Sequence, residues 1–218
     1  LAVPEYERLS RSMGRPRSSA SRNLSGVEED EAEGEVSELY DYFRSHFGRT
    51  DIPGILKCFA THPPLLRHMM ALSESMIFGD GHLTRRHKEM IATFVSSQNE
   101  CPYCADSHGY FLRVHGGSAE ALCAIQKNDL ASSSLTAEEQ KLLRFVQKVD
   151  SNSHEIDKAD VDLLCQAGWS QPQIAEAVHV AALFATFNRV ANAFGLQSQG
   201  LLALFESQGD ATVGIEAE

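Results

Sequence analysis

The chain has 218 residues, 19 Lys+Arg against 30 Asp+Glu for a net charge of −11, and 43% hydrophobic residues. That length means one domain or two small ones with enough apolar residues for a core, and the acidic balance excludes a nucleic-acid or anionic-membrane partner, since both need a basic face. No apolar run approaches the roughly 18–20 residues of a membrane span, and five cysteines, an odd number in a chain this large, argue against a secreted disulfide framework and for a reactive or metal-binding set.

Residues 1–27 hold five Arg, six Ser and only two Glu, so they carry +3 and leave −14 for residues 28–218. The stretch has the Arg- and Ser-rich, acid-poor composition of an organelle transit peptide, but it lacks any apolar period and reads as a disordered extension over 1–29. From there to about residue 206 the periodicity is helical. Val36, Leu39, Tyr40, Phe43 and Phe47 fall on one face of a helix that Gly48 stops. Pro53 opens a short helix with Ile55, Leu56 and Phe59. Pro63-Pro64 ends it and starts another through Met76. Thr84 caps a helix with Met90, Ile91, Phe94 and Val95 inward, and a break at Gln98-Asn99 precedes the next helix, which closes at Gly116-Gly117. Ser118 caps a short helix. Thr136 to Glu139 is a capping box. Asp157 caps a helix stopped by Gly168, and Ser170 to Gln173 is a second capping box opening the long apolar stretch Ile174 to Phe194. Nothing alternates with period two, so the expected fold is all-α, about nine helices in one domain over 30–206, followed by a frayed tail over 207–218.

The chemistry concentrates in Asn99-Glu100-Cys101-Pro102-Tyr103-Cys104-Ala105-Asp106-Ser107-His108. Pro102 is tolerated only in a first helical turn, which places the helix start just before it with Asn99 as the expected N-cap. Both cysteines then lie where free N–H groups and the helix dipole favour a thiolate. Cys101, Cys104 and His108 share one face at i, i+3 and i+7, a dithiol beside an acid–base group. Two other readings remain open at this point: a zinc site with a fourth ligand elsewhere, and a buried inert pair. Cys58, Cys123 and Cys165 sit among apolar residues and read as small core residues.

With Glu89 twelve residues before Cys101, the pattern E-x11-C-x2-C-x3-H resembles the alkylhydroperoxidase D-like (AhpD-like) branch of the carboxymuconolactone decarboxylase superfamily. The run Leu83 to Ile91 resembles that family's helix before the motif, and residues 31–36 and 187–192 resemble its uncharacterised peroxidase-related subgroup. The likeness runs from about residue 30 to about residue 205. It implies an AhpD-like helical domain with the CxxC at the N-terminus of a central helix, and a homo-oligomer, a trimer or hexamer; the cysteine pair itself fits a reducing cytoplasm, where a disulfide is a catalytic state. It also implies a thiol-dependent peroxidase that needs no cofactor and no metal. By position, Cys104 is the implied peroxide-attacking sulfur, with a thiol below the free-cysteine value. Cys101 is the implied resolving sulfur, His108 the base and Glu89 its orienting or proton-relaying partner. The substrate is then hydrogen peroxide or an organic peroxide, and the disulfide is returned to dithiol by a thioredoxin-like or lipoyl-bearing protein. The family often has a second His between the cysteines, and Tyr103 stands there, a poor base with its pKa near ~10. A carboxymuconolactone decarboxylase-like lyase and a non-enzymatic redox sensor or zinc-binding module are the alternatives.

His87 reads as a surface residue, His115 as a dipole partner at a helix C-terminus, and His179 as a core histidine or a residue facing the cysteines. Asn188 and Arg189 are polar groups in an apolar helix, with Arg189 expected to pair with a carboxylate in the core or across an interface.

Overall fold

The computed structural model describes residues 22–213, with side chains described to residue 207. Among the described residues there are ten α-helices and no strand: α1 Gly34–Phe47, α2 Gly54–Phe59, α3 Pro63–Ser73, α4 Arg85–Gln98, α5 Pro102–Val114, α6 Ala119–Gln126, α7 Ala137–Asn152, α8 Lys158–Gln166, α9 Gln171–Phe194 and α10 Leu201–Val213. The all-α expectation holds. The tenth helix is α10, which runs to Val213 where the sequence suggested fraying from residue 207.

The other end also differs from expectation. Residues 1–21 lie outside the described residues, but 22–29 belong to the fold. Asn23 donates its N–H to the Phe194 carbonyl and Val27 its N–H to that of Lys57, each at 3.0 Å, while the Tyr40 hydroxyl donates to the Val27 carbonyl at 2.8 Å. Arg22 and Lys57 close on Glu28 at 2.6 and 2.8 Å. Partnered backbone of this kind takes a segment out of the solvent-exposed, freely fluctuating class.

Helix starts follow local chemistry. Thr84, Ser118, Thr136, Asp157 and Ser170 each accept the backbone N–H three residues on. Thr136 with Glu139 and Ser170 with Gln173 complete reciprocal capping boxes, and Asp157 with Asp160 adds a third. Gly48 at φ 62° and Gly195 at φ 75° end α1 and α9 in the left-handed conformation that a Cβ would penalise.

Helix α4 is the centre of the fold. Residues 88 through 96 are buried without a break, and α5, α9, α6 and α7 all pack on it, α5 most extensively. Contrary to the expectation that no run approaches a membrane span, helix α9, 24 residues long, is apolar enough to cross one by length and composition, but 56% of its most apolar stretch is buried inside the fold, as in a core helix. Helix α3 does not run straight to Met76. It widens into a π-helical turn, Glu74–Phe78, whose wider spacing brings Glu74, Ile77 and Phe78 to one cavity wall. The loop from there into α4 is fixed from below. The Lys88 ammonium, 1% exposed, reaches the Gly79 carbonyl at 3.0 Å and Glu176 at 2.9 Å, and Glu176 also accepts the His82 and Leu83 N–H groups. The buried charge is thus paired and hydrogen-bonded, as burial demands.

Candidate functional site

Cys101, not Asn99, is the N-cap of α5. Glu100 takes a left-handed φ of 49°, the chain turns there, and Pro102 occupies the first helical position. The Cys101 sulfur accepts the Cys104 N–H at 3.4 Å. Both thiols are free and buried, at 1% and 3% exposure.

Their electrostatics diverge, and in the direction opposite to expectation. The hydrogen bond from the Cys104 side chain favours the Cys101 thiolate. With the Cys104 N–H and the Asn188 amide it outweighs burial and lowers the Cys101 pKa. Cys104 is pushed well up by that same hydrogen bond, by burial and by repulsion from Cys101. The expectation of a depressed thiol at Cys104 is therefore corrected: the hydrogen bond between the two side chains, helped by the Cys104 N–H, favours the thiolate form at Cys101 over Cys104. Cys58 lies in the same apolar cluster, with burial pushing its thiol up to about 11. Cys123 and Cys165, expected in the core, are exposed.

Glu89 and His108 come together, as their shared motif suggested. Glu89 is fully buried on α4. One carboxylate oxygen takes the Arg85 Nε–H at 2.6 Å and the other lies 2.7 Å from His108 Nδ1. Burial alone would raise the Glu89 pKa, but His108 and Arg85 outweigh it and hold the carboxyl below its ordinary value. An ionised Glu89 accepts the Nδ1 proton and leaves Nε2 of the imidazole for other work. The imidazole packs edge-on against Phe184 at 4.4 Å between centroids, which fixes its plane.

These groups open on a cavity of about 400 Å³. Cys104 and His108 line it, whereas Cys101 sits behind Cys104 and does not. The walls are largely aromatic, with Phe78, Phe111, Phe184 and Phe187 among them, and Arg85 is part of the lining. At the same wall Glu74 accepts the Tyr42 hydroxyl at 3.0 Å and pairs with His46 at 2.8 Å. Tyr103 lines the cavity too, with its hydroxyl against the Ile55 N–H at 3.5 Å.

Several residues play parts the sequence did not assign. His115 lines the cavity, and burial together with the Arg85 charge lowers its pKa, against the dipole effect expected there. The signal was present: 104, 108, 111 and 115 form one helical stripe. Asn188 is fully buried and donates to the Ser96 hydroxyl at 3.0 Å, behind the thiols. Arg189 is exposed and donates to the Ala185 carbonyl rather than to a carboxylate, and His179 is exposed rather than facing the cysteines. His87 is only partly exposed, edge-on to Trp169 at 5.1 Å.

The carboxymuconolactone decarboxylase family model matches residues 63–148, which span α3 to most of α7. An uncharacterized peroxidase-related protein from Ralstonia eutropha JMP134, described as an alkylhydroperoxidase AhpD core, superposes with a TM-score of 0.75 at 22% identity, over 87% of this chain and 96% of that one. An uncharacterized peroxidase-related protein from Silicibacter sp. TM1040 gives 0.70 at 28% identity, over 84% and 94%. The debrominase Bmp8, solved with 2,3,4-tribromopyrrole, shares the fold at a TM-score of 0.66 and 17% identity, over 84% and 96%. No protein of curated function matches the chain. The matched family region and the fold shared with AhpD-core and peroxidase-related proteins together support the AhpD-like branch of the carboxymuconolactone decarboxylase superfamily for this chain.

Proposed function

We propose that the chain is a thiol-dependent peroxidase in which Cys104 attacks the peroxide and Cys101 resolves it. The observation that carries this reading is the division of labour at the cavity: Cys104 and His108 face it, and the thiolate-stabilised Cys101 lies directly behind Cys104. Of the two thiols, Cys101 is the one whose pKa the site lowers. Cys104 becomes nucleophilic by passing its proton to Cys101 or to His108 Nε2. The Cys104 sulfur then attacks one peroxide oxygen, the O–O bond breaks, and the leaving oxygen takes that proton to give the alcohol. Cys101 attacks the resulting sulfenic acid, forming the disulfide and releasing water. One peroxide and two thiols give one alcohol, one water and one disulfide. A thioredoxin-like or lipoyl-bearing dithiol protein returns the pair to the reduced state.

Rapid-mixing assays should show two thiols lost per peroxide consumed. Cys104→Ser should abolish consumption, and Cys101→Ser should stall at a trappable sulfenic acid. Full consumption by Cys104→Ser overturns the assignment. We also place the chain in a homo-oligomer, a trimer or hexamer. Exposed Leu65, Leu72, Phe78 and Tyr42 support it, and mass measurement in solution tests it.

The aromatic walls favour a second reading, reductive removal of halogen from an aromatic ring, and one structural neighbour is named a debrominase. It uses the same pair: the aryl halide and two thiols give the dehalogenated ring, hydrogen halide and the disulfide. Halide release without peroxide consumption would select it. A lyase role has less support, because decarboxylation of a lactone makes no use of a dithiol.

A further inference from the structure

We infer that the cavity over Cys104 takes an aromatic or similarly bulky apolar substrate that carries a carboxylate, and that Arg85 holds this carboxylate. The inference rests on the reading of Cys104 as the reacting sulfur and adds the substrate class. Arg85 lines the cavity from the first turn of α4, with its side chain 23% exposed. Of its guanidinium donors only the Nε–H is engaged, by Glu89, and its Nη groups meet no acceptor among the described residues. The Arg85 central carbon lies over the Phe78 ring at 4.6 Å and over the Phe111 ring at 5.8 Å. The two Nη groups are thus left as donors beside aromatic rings, a setting suited to a bidentate carboxylate attached to an apolar body.

Placement favours this as well. The two oxygens of Glu89 hold the Arg85 guanidinium and the His108 imidazole side by side, and both groups line the cavity with Cys104. A carboxylate on Arg85 therefore anchors a substrate whose apolar body fills the Phe184 and Phe187 side and whose reactive group meets Cys104. The chain as a whole is acidic, at −11, so its long-range field does not draw anions in, and a specific cation in the wall has to do so. A role for Arg85 confined to orienting Glu89 uses only its Nε–H and leaves the two Nη groups without an acceptor among the described residues.

The test uses the full chain in its reduced form and two redox-inert probes of one shape, para-isopropylbenzoate and para-isopropylbenzamide, by titration calorimetry. The carboxylate should bind at least about tenfold more tightly than the amide. Arg85→Gln should erase that preference and leave the amide's affinity in place, while Arg85→Lys should keep part of it. Equal binding of the two probes by the unmodified chain overturns the inference, as does a preference that survives Arg85→Gln or a parallel loss for both probes. If Arg85→Gln does not fold, the unmodified chain and Arg85→Lys decide. The hydroperoxide of the same acid, set against that of its methyl ester, separates this from the parent reading. A binding preference with no thiol loss for either hydroperoxide leaves the carboxylate site standing and removes the peroxidase. Equal KM for acid and ester, with full thiol loss, does the reverse.

Discussion

Helices α4 and α7 both open on a leucine-threonine pair, Leu83-Thr84 and Leu135-Thr136, and both threonines cap. Beyond that turn they part. In α7 the third helical residue is Glu139, which completes the capping box and pairs with Arg86 of α4, and only the stripe of Leu142, Leu143, Phe145 and Val146 goes inward behind it. In α4 the third residue is His87, no box forms, and everything from Lys88 to Ser96 is buried, polar residues included. A helix with a wet face can place its charges outside at no cost. A helix covered all round has to give each charge a partner from elsewhere in the chain. Lys88 finds Glu176, and Glu89 finds Arg85 and His108. The reactive site forms where that partnering is densest.

Substitutions can break or sharpen this contrast. The largest effect is expected from Glu89→Gln, which removes the charge that sets the His108 tautomer. Peroxide consumption should fall by about 100–1000-fold, with KM little changed, read by steady-state kinetics. In α7 the counterpart is Leu142→Ala, at a fully buried position. It should cost about 2–5 kcal/mol in denaturant unfolding and leave the rate of the surviving folded protein intact. If the Leu142 variant lost rate instead, the division between a reactive and a scaffolding helix would fail. A smaller effect is expected with pH. The Glu89 pKa is held below its ordinary 4.5 in the fold, so its stabilising contribution is complete above 4.5 and disappears as pH falls through the lower folded value. Melting temperature should therefore drop more steeply for the native chain than for Glu89→Gln below pH 4.5. The smallest effects belong to the shared caps: Thr84→Ala and Thr136→Ala should each cost about 1 kcal/mol with unchanged turnover.

The same contrast explains what could be read from sequence. Caps and capping boxes depend on neighbours within three residues, so Thr84, Ser118, Thr136, Asp157 and Ser170 were all legible. The family resemblance also implied linked roles for Glu89 and His108, although they come from different helices. Other features depended on distant packing. Cys123 and Cys165 have apolar neighbours in sequence but lie on outward faces, because helix periodicity alone does not say which stripe the rest of the chain will cover. Asn188 meets Ser96 from 92 residues away, a pairing no local pattern contains. The cap at Cys101 was missed because cysteine is not a favoured capping residue and Glu100 had to enter a left-handed conformation to allow it.

Helix α10, absent from the periodicity reading, bears on how portable the motif is. Its first two N–H groups, those of Leu201 and Leu202, both rest on the Asp106 carboxylate at 3.1 Å, and Gln199 and Leu201 form part of the cavity wall. Asp106 lies between Cys104 and His108, so one short signature supplies both the proposed reacting groups and the clasp for a wall that arrives almost a hundred residues later. Transplanting the cysteines and histidine onto another helical scaffold would thus carry over the reagents without the vessel. A working graft needs the aspartate and the 199–202 segment moved as one unit.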